Sequence, residues 1–166
     1  MINKLFIVTT CLISLLGCAQ KEETTFKKEG LDNVMVTTAN QPLAFSEIVK
    51  KYQGKIIVID VWASWCPDCI KGMVKVKALQ EKYPDAVYLF ISMDKTYDAW
   101  LKGIEKYDVK GEHYLTTDGM KGVFGKSINL DWIPRYMVVD RKGKIALYKV
   151  IEADDEKLIK TIESLK

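Results

Sequence analysis

Histidine is almost absent from this chain of 166 residues, with His113 the only one, and cysteine occurs four times. Two of the four, Cys11 and Cys18, fall in the first eighteen residues, so the remainder carries one histidine and the pair Cys66 and Cys69. A structural zinc ion takes four ligands, and that supply is too short for it. Long apolar runs are also lacking: the one candidate, Leu5 to Leu16, is shorter than a membrane span requires. No block of like charge occurs either. The 25 Lys and Arg residues are interspersed with 22 Asp and Glu, for a formal net charge of +3, which excludes a nucleic-acid footprint. The length suits one domain with a real core and is too short for two comfortable ones.

What is present is Trp62-Ala63-Ser64-Trp65-Cys66-Pro67-Asp68-Cys69, lying between an apolar run and a helix-like segment. If Cys66 is the N-cap and Pro67 the first helical residue, where its fixed φ fits and its missing N–H costs nothing, Cys69 falls at the N3 position. Residues three apart share a helix face, with β-carbons roughly 5 to 6 Å apart. A small closing movement then permits a disulfide. The helix N-terminus aims free N–H groups and the positive end of the dipole at Cys66, favouring its thiolate. Cys66 is therefore expected to attack and Cys69 to resolve, while the Asp68 carboxylate opposes a second negative charge nearby. An inert disulfide closing so short a loop would stabilise little, so redox chemistry is the stronger reading of the pair.

The first eighteen residues read as a leader: Lys4 supplies a positive start, Leu5 to Leu16 an apolar stretch, and Gly17 a small residue before Cys18. Leu15-Leu16-Gly17-Cys18 resembles a bacterial lipobox. That resemblance implies cleavage before Cys18, a diacylglycerol on its sulfur, and a mature chain anchored to a membrane rather than spanning it. The expected division is a lipoprotein signal peptide at 1–17, a flexible polar tether at 18–32 and one domain at 33–166. The compartment would be extracytoplasmic, where disulfides persist.

Within the domain, Asn33 to Thr37 reads as a strand, and Ser46 opens a short helix with Ile48 and Val49 inward and a stop at Gly54. Lys55 to Val61 is a continuous β-branched run, as expected of a central strand covered on both faces. Ile70 to Tyr83 carries Met73, Val74, Val76, Ala78 and Leu79 on an amphipathic helix ended before Pro84. Ala86 to Met93 is a second buried strand, and Lys95 to Tyr107 a helix capped by Asp94. Glu112 to Leu115 can form a strand and Gly119 to Gly125 a short helix. Arg135 to Asp140 and Lys144 to Val150 form a hairpin, and Asp154 caps a last helix, Glu156 to Leu165. Strands alternating with helices and then a hairpin give an α/β fold, a mixed sheet with helices on both faces.

Ile57-Val58-Ile59-Asp60-Val61-Trp62-Ala63-Ser64-Trp65-Cys66-Pro67-Asp68-Cys69, followed later by Trp132-Ile133-Pro134, resembles the thioredoxin superfamily. The additional helix and strand between Phe90 and Asp118 resemble the central insertion of TlpA/ResA-like thiol-disulfide oxidoreductases. The resemblance implies a thioredoxin fold with a helix–strand insertion, Cys66 as nucleophile, Cys69 as resolving thiol and Pro134 as a cis-proline facing them. The Ile133 backbone would pair with an extended substrate segment. Trp65 and Trp132 would line the substrate surface, with Trp62 either beside them or in the core. Pro67 and Asp68 replace the Gly-Pro pair of thioredoxin, at positions that tune thiolate stability. Asp60 stands where thioredoxins bury a carboxylate; burial would raise its pKa and let it take the proton from Cys69. Many ResA-like relatives have asparagine there and a glutamate elsewhere, for which Glu105 and Glu112 are the candidates.

The implied reaction is dithiol–disulfide exchange with protein substrates, needing no metal or organic cofactor and reset by a membrane-embedded electron donor. Two rivals share the fold. A Cu(I) chaperone would enlist both cysteines and His113, although such proteins usually space their cysteines by three residues. A thiol peroxidase would use one low-pKa cysteine on a hydroperoxide.

Overall fold

The computed structural model describes residues 23–166, so the expected leader and Cys18 lie outside the described residues. The elements are α1 (Lys28–Leu31), β1 (Val34–Thr37), β2 (Pro42–Ala44), α2 (Phe45–Lys51), β3 (Ile57–Trp62), α3 (Pro67–Lys82) and β4 (Val87–Ser92). There follow α4 (Tyr97–Lys106), β5 (Glu112–Thr116), α5 (Val123–Ser127), β6 (Arg135–Val139), β7 (Ile145–Val150) and α6 (Glu156–Ser164).

The strands form one mixed sheet in the order β2-β1-β5-β4-β3-β6-β7. Every residue of β3 is buried, which is why its run does not alternate: helices cover both of its faces. β3 pairs in parallel with β4 and antiparallel with β6, and β4 pairs in parallel with β5. Two successive parallel crossovers in one direction put α3 and α4 on the same face, and Lys77 of α3 accordingly reaches Asp108 just beyond α4. The helix α6 lies beside α3, with Tyr83 donating to Glu163 at 2.7 Å. On the opposite face Phe45 of α2 packs edge-to-face on Phe124 of α5, with ring centroids 4.9 Å apart. The apolar residues of β7 follow a period of two at Ile145 and Leu147 and then skip to Val150, because a bulge against β6 shifts the register there.

Several local expectations are corrected. The stretch assigned to a tether is ordered against the domain from Thr24 onward: Thr24 accepts from Ile145 N–H at 2.9 Å, and Phe26 packs edge-to-face on Phe45, with centroids 5.0 Å apart. Gly30 is buried in α1 so close to Ser127 that a Cβ would stand 2.2 Å from its hydroxyl. Polar composition concealed this because only Phe26, Gly30 and Leu31 carry the packing among charged neighbours. The helix α2 starts at Phe45 rather than Ser46, with Glu47 reaching back to Ala44 N–H at 3.2 Å. Val74 is 76% exposed and belongs to the outer face of α3. Thr96, not Asp94, caps α4, and Asp155, not Asp154, caps α6; Asp154 pairs instead with Lys75. The helix expected at Gly119 to Gly125 is displaced to Val123–Ser127, and β2 was not anticipated.

Candidate active site

Cys66 takes the N-cap position of α3 with extended backbone, Pro67 is the first helical residue, and the Cys69 N–H donates to Cys66 Sγ at 3.1 Å. The two cysteines form a disulfide across a Cα–Cα separation of 5.3 Å, within the usual range for such a bond. Both are nearly inaccessible, Cys66 at 4% exposure and Cys69 at 0%. What the solvent meets around them is Pro67, Asp68 and two large indoles, Trp65 at 55% and Trp132 at 57% exposure. Trp62 is fully buried and belongs to the core.

The loop before β6 brings Trp132-Ile133-Pro134 to the same place. The Ile133–Pro134 peptide is cis, and the Ile133 carbonyl oxygen lies 3.7 Å from Cys66 Sγ. Ile133 is itself buried, at 5% exposure. Sequence reasoning missed what holds this loop. Arg135, fully buried, donates to the carbonyls of Ile128 at 3.2 Å and Asn129 at 3.4 Å and to Asp131 at 2.5 Å. Lys149 also pairs with Asp131, and the hydrogen bonds to the Lys149 ammonium and the Arg135 guanidinium hold that carboxyl at about 2. An arginine directly after the Trp-Ile-Pro motif, four residues past an aspartate, was the available signal.

Asp60 lies inside β3, opposite Tyr136 of β6, so both side chains point to the same face. That face is the one under α3, since a Cβ on Gly72 would sit 3.3 Å from the Tyr136 hydroxyl. Cys69 precedes Gly72 by one helical turn on α3, so Asp60 and the resolving cysteine both belong to the layer between β3 and this helix. Asp60 is 3% exposed, and neither carboxylate oxygen has a hydrogen-bond partner among the described residues. Burial pushes its pKa up to about 8, the Tyr136 hydroxyl pulling weakly the other way.

The other candidates have surroundings unlike those of Asp60. Glu105 is exposed on α4. Glu112 starts β5 beside Leu89, in the middle of β4, and is held by Tyr52 and Lys51. His113 stacks on Phe90, with centroids 5.2 Å apart, and its Nε2 lies 3.0 Å from the Val109 carbonyl; burial lowers its pKa. Among the described residues no group of three or more His, Cys, Asp or Glu side chains is placed to hold a metal ion.

A second buried carboxylate, also missed, holds the loop ahead of the dithiol. Asp94, 1% exposed just beyond β4, accepts from Ser64 N–H at 3.0 Å, Ser64 Oγ at 2.7 Å and Ser92 Oγ at 2.7 Å. Its position in the Ser92-Met93-Asp94 turn suggested a cap, since aspartate before a helix commonly is one.

A mixed sheet whose central strand delivers a cysteine pair to a helix N-terminus, facing a cis-proline, defines a thioredoxin-like dithiol protein. The chain belongs to the Redoxin family, whose profile matches residues 48–164. The thiol:disulfide interchange protein DsbE of Haemophilus influenzae is 27% identical over 149 residues, covering 85% of this chain and 78% of its own. Thiol-disulfide oxidoreductase ResA of Bacillus cereus is 23% identical over 142 residues, covering 84% of this chain and 78% of its own. The solution structure of a candidate thiol-disulfide oxidoreductase from Bacteroides vulgatus superposes with a TM-score of 0.64 at 29% identity, over 80% of this chain and 83% of that one. The chain spans less than half the length of other curated relatives that it matches, between 10% and 46%. No helix among the described residues is long and apolar enough to cross a membrane.

Proposed function

We propose that this protein is an extracytoplasmic thiol-disulfide oxidoreductase that reduces disulfides in other proteins. The observation that carries the reading is the Cys66–Cys69 disulfide at the N-terminus of α3, with the Ile133 carbonyl 3.7 Å from Cys66 Sγ. The similarity to ResA and DsbE supports the same chemistry.

In the reduced protein the Cys66 thiolate, favoured by the Cys69 N–H and the helix dipole, attacks one sulfur of a substrate disulfide. A bond forms between Cys66 and that sulfur, and the other substrate sulfur leaves as a thiolate that takes up a proton. Cys69 then gives its proton to ionised Asp60 and attacks Cys66 Sγ. The Cys66–Cys69 disulfide forms, and the second substrate sulfur departs and is protonated. Two electrons have passed to the substrate. A dithiol donor, in this reading embedded in the membrane, returns them by the reverse exchange. Trp65, Pro67, Asp68 and Trp132 meet the substrate, whose extended backbone pairs with that of Ile133. A lipid on Cys18 would keep the domain in the cell envelope.

Cys69→Ser should accumulate covalent complexes with substrate proteins that dithiothreitol releases, and Cys66→Ser should accumulate none. Equal trapping by both variants, read on non-reducing gels, would remove the assigned roles. Insulin reduction by the wild-type domain, set against hydroperoxide consumption, distinguishes the reductase from a peroxidase.

A further inference from the structure

We infer that Asp94 is a positioning residue for the dithiol, acting through Ser64. A buried carboxylate is costly unless fully hydrogen-bonded or paired, and among the described residues no cation pairs with Asp94. Its bonds go instead to neutral donors, and two of the three come from Ser64. The Asp94 N–H in turn donates to Ser92 Oγ at 2.9 Å, which fixes the carboxylate to the end of β4. Ser64 lies two residues ahead of Cys66, in the turn closed by the Cys66 N–H on the Ala63 carbonyl at 3.1 Å.

Ser64 is also held from the other side. A Cβ on Gly103 of α4 would stand 2.4 Å from Ser64 Cβ, so only glycine lets the helix approach this closely. The inserted helix and the end of β4 thus grip one residue of the loop that presents Cys66. Trp65, the next residue, stands between two clefts of about 430 and 290 Å³, and Asp94 and Lys95 line both. The consequence is that Cys66 Sγ is kept where the Cys69 N–H can reach it.

The inference rests on the proposed exchange activity, and its test reads Cys66 without that activity. The rate of iodoacetamide alkylation of the reduced protein is followed against pH, together with the thermal midpoint. Positioning and charge predict opposite signs. If Asp94 acted only as a negative charge, Asp94→Asn would ease ionisation of Cys66 and speed alkylation at neutral pH. If Asp94 positions the loop, Asp94→Asn loosens Cys66 from its N–H donor, the titration moves up, and alkylation at pH 7 slows by about threefold or more, half a pKa unit being a factor of about three. Ser64→Ala keeps the charge and removes one hydrogen bond, and should slow alkylation in the same direction by a smaller factor. Gly103→Ala presses Ser64 from the α4 side with Asp94 intact, and should also move the titration. Should Asp94→Asn fail to fold, the Ser64 and Gly103 variants carry the decision. Unchanged alkylation profiles with a lowered thermal midpoint would overturn the inference and leave Asp94 a structural residue. Failure of the wild-type protein to reduce insulin would instead overturn the exchange reading.

Discussion

Asp60 opposes stability and function within one side chain. Its pKa in the folded protein, about 8, lies above the ordinary carboxylate value of 3.8, so folding takes up a proton between those pH values. Stability therefore falls as pH rises through that window, and the whole penalty is present above about pH 8. Asp60→Asn should raise the thermal midpoint relative to wild type, and the gain should be larger at pH 9 than at pH 5. If Asp60 is the proton acceptor for Cys69, as proposed, the same change should slow resolution of a preformed mixed disulfide by about 10²-fold, the scale of general-base catalysis. In the wild-type protein that resolution rate should rise with pH up to about 8, as the carboxylate ionises. A uniform loss of stability with no change in resolution, measured by melting and by quenched-flow release of a trapped peptide, would show that the carboxylate only supports the fold.

At the scale of elements, α3 shows how an outward face is told from an inward one. Val74 and Val76 differ little in sequence context, yet Val74 is 76% exposed and Val76 3%. Replacing Val74 with lysine should change stability by less than about 0.5 kcal/mol, whereas Val76→Ala should cost about 2 kcal/mol, read by urea titration. The short α1 and the segment before it carry the other test. Phe26 packs on Phe45 from a stretch whose composition reads as linker, and Phe26→Ala should cost about 1 to 2 kcal/mol, a value reduced from that of a fully buried ring because Phe26 is only partly covered. An unchanged denaturation midpoint would return the segment to the role of a tether.

For the whole molecule, redox state and stability form one cycle. If the folded protein favours the Cys66–Cys69 disulfide over the dithiol more than the unfolded chain does, its reduction potential is low and it acts as a reductant, with the oxidised form the more stable. Reductant behaviour predicts a potential near the thioredoxin end of the scale, about −270 mV, with 30 mV corresponding to about 1.4 kcal/mol between the two melting curves. A more stable reduced form, together with a potential near about −120 mV in glutathione buffers, would reverse the direction of the proposed exchange.

How much of this was legible in the sequence follows from the range of each interaction. The strand Ile57–Trp62, the helix that Pro67 starts and the 5.3 Å approach of Cys66 to Cys69 depend on residues close in sequence, and periodicity and capping rules reach that far. The burial of Asp60 could be read from its place inside an apolar run. The roles of Asp94 and Gly103 could not, because their partners are set by tertiary contact. Asp94 meets Ser64 only because β4 ends beside the exit of β3, and Gly103 touches Ser64 only because the crossover lays α4 alongside. Arg135 is intermediate: its partners Ile128, Asn129 and Asp131 lie four to seven residues back and the Asp131 spacing is readable, whereas the complete burial of its side chain is set by the fold. Local sequence thus determined which atoms can do the chemistry. The tertiary structure decided how those atoms are held, since hydrogen bonds to buried charges join segments far apart in the chain, and their pairing exists only once the sheet has assembled.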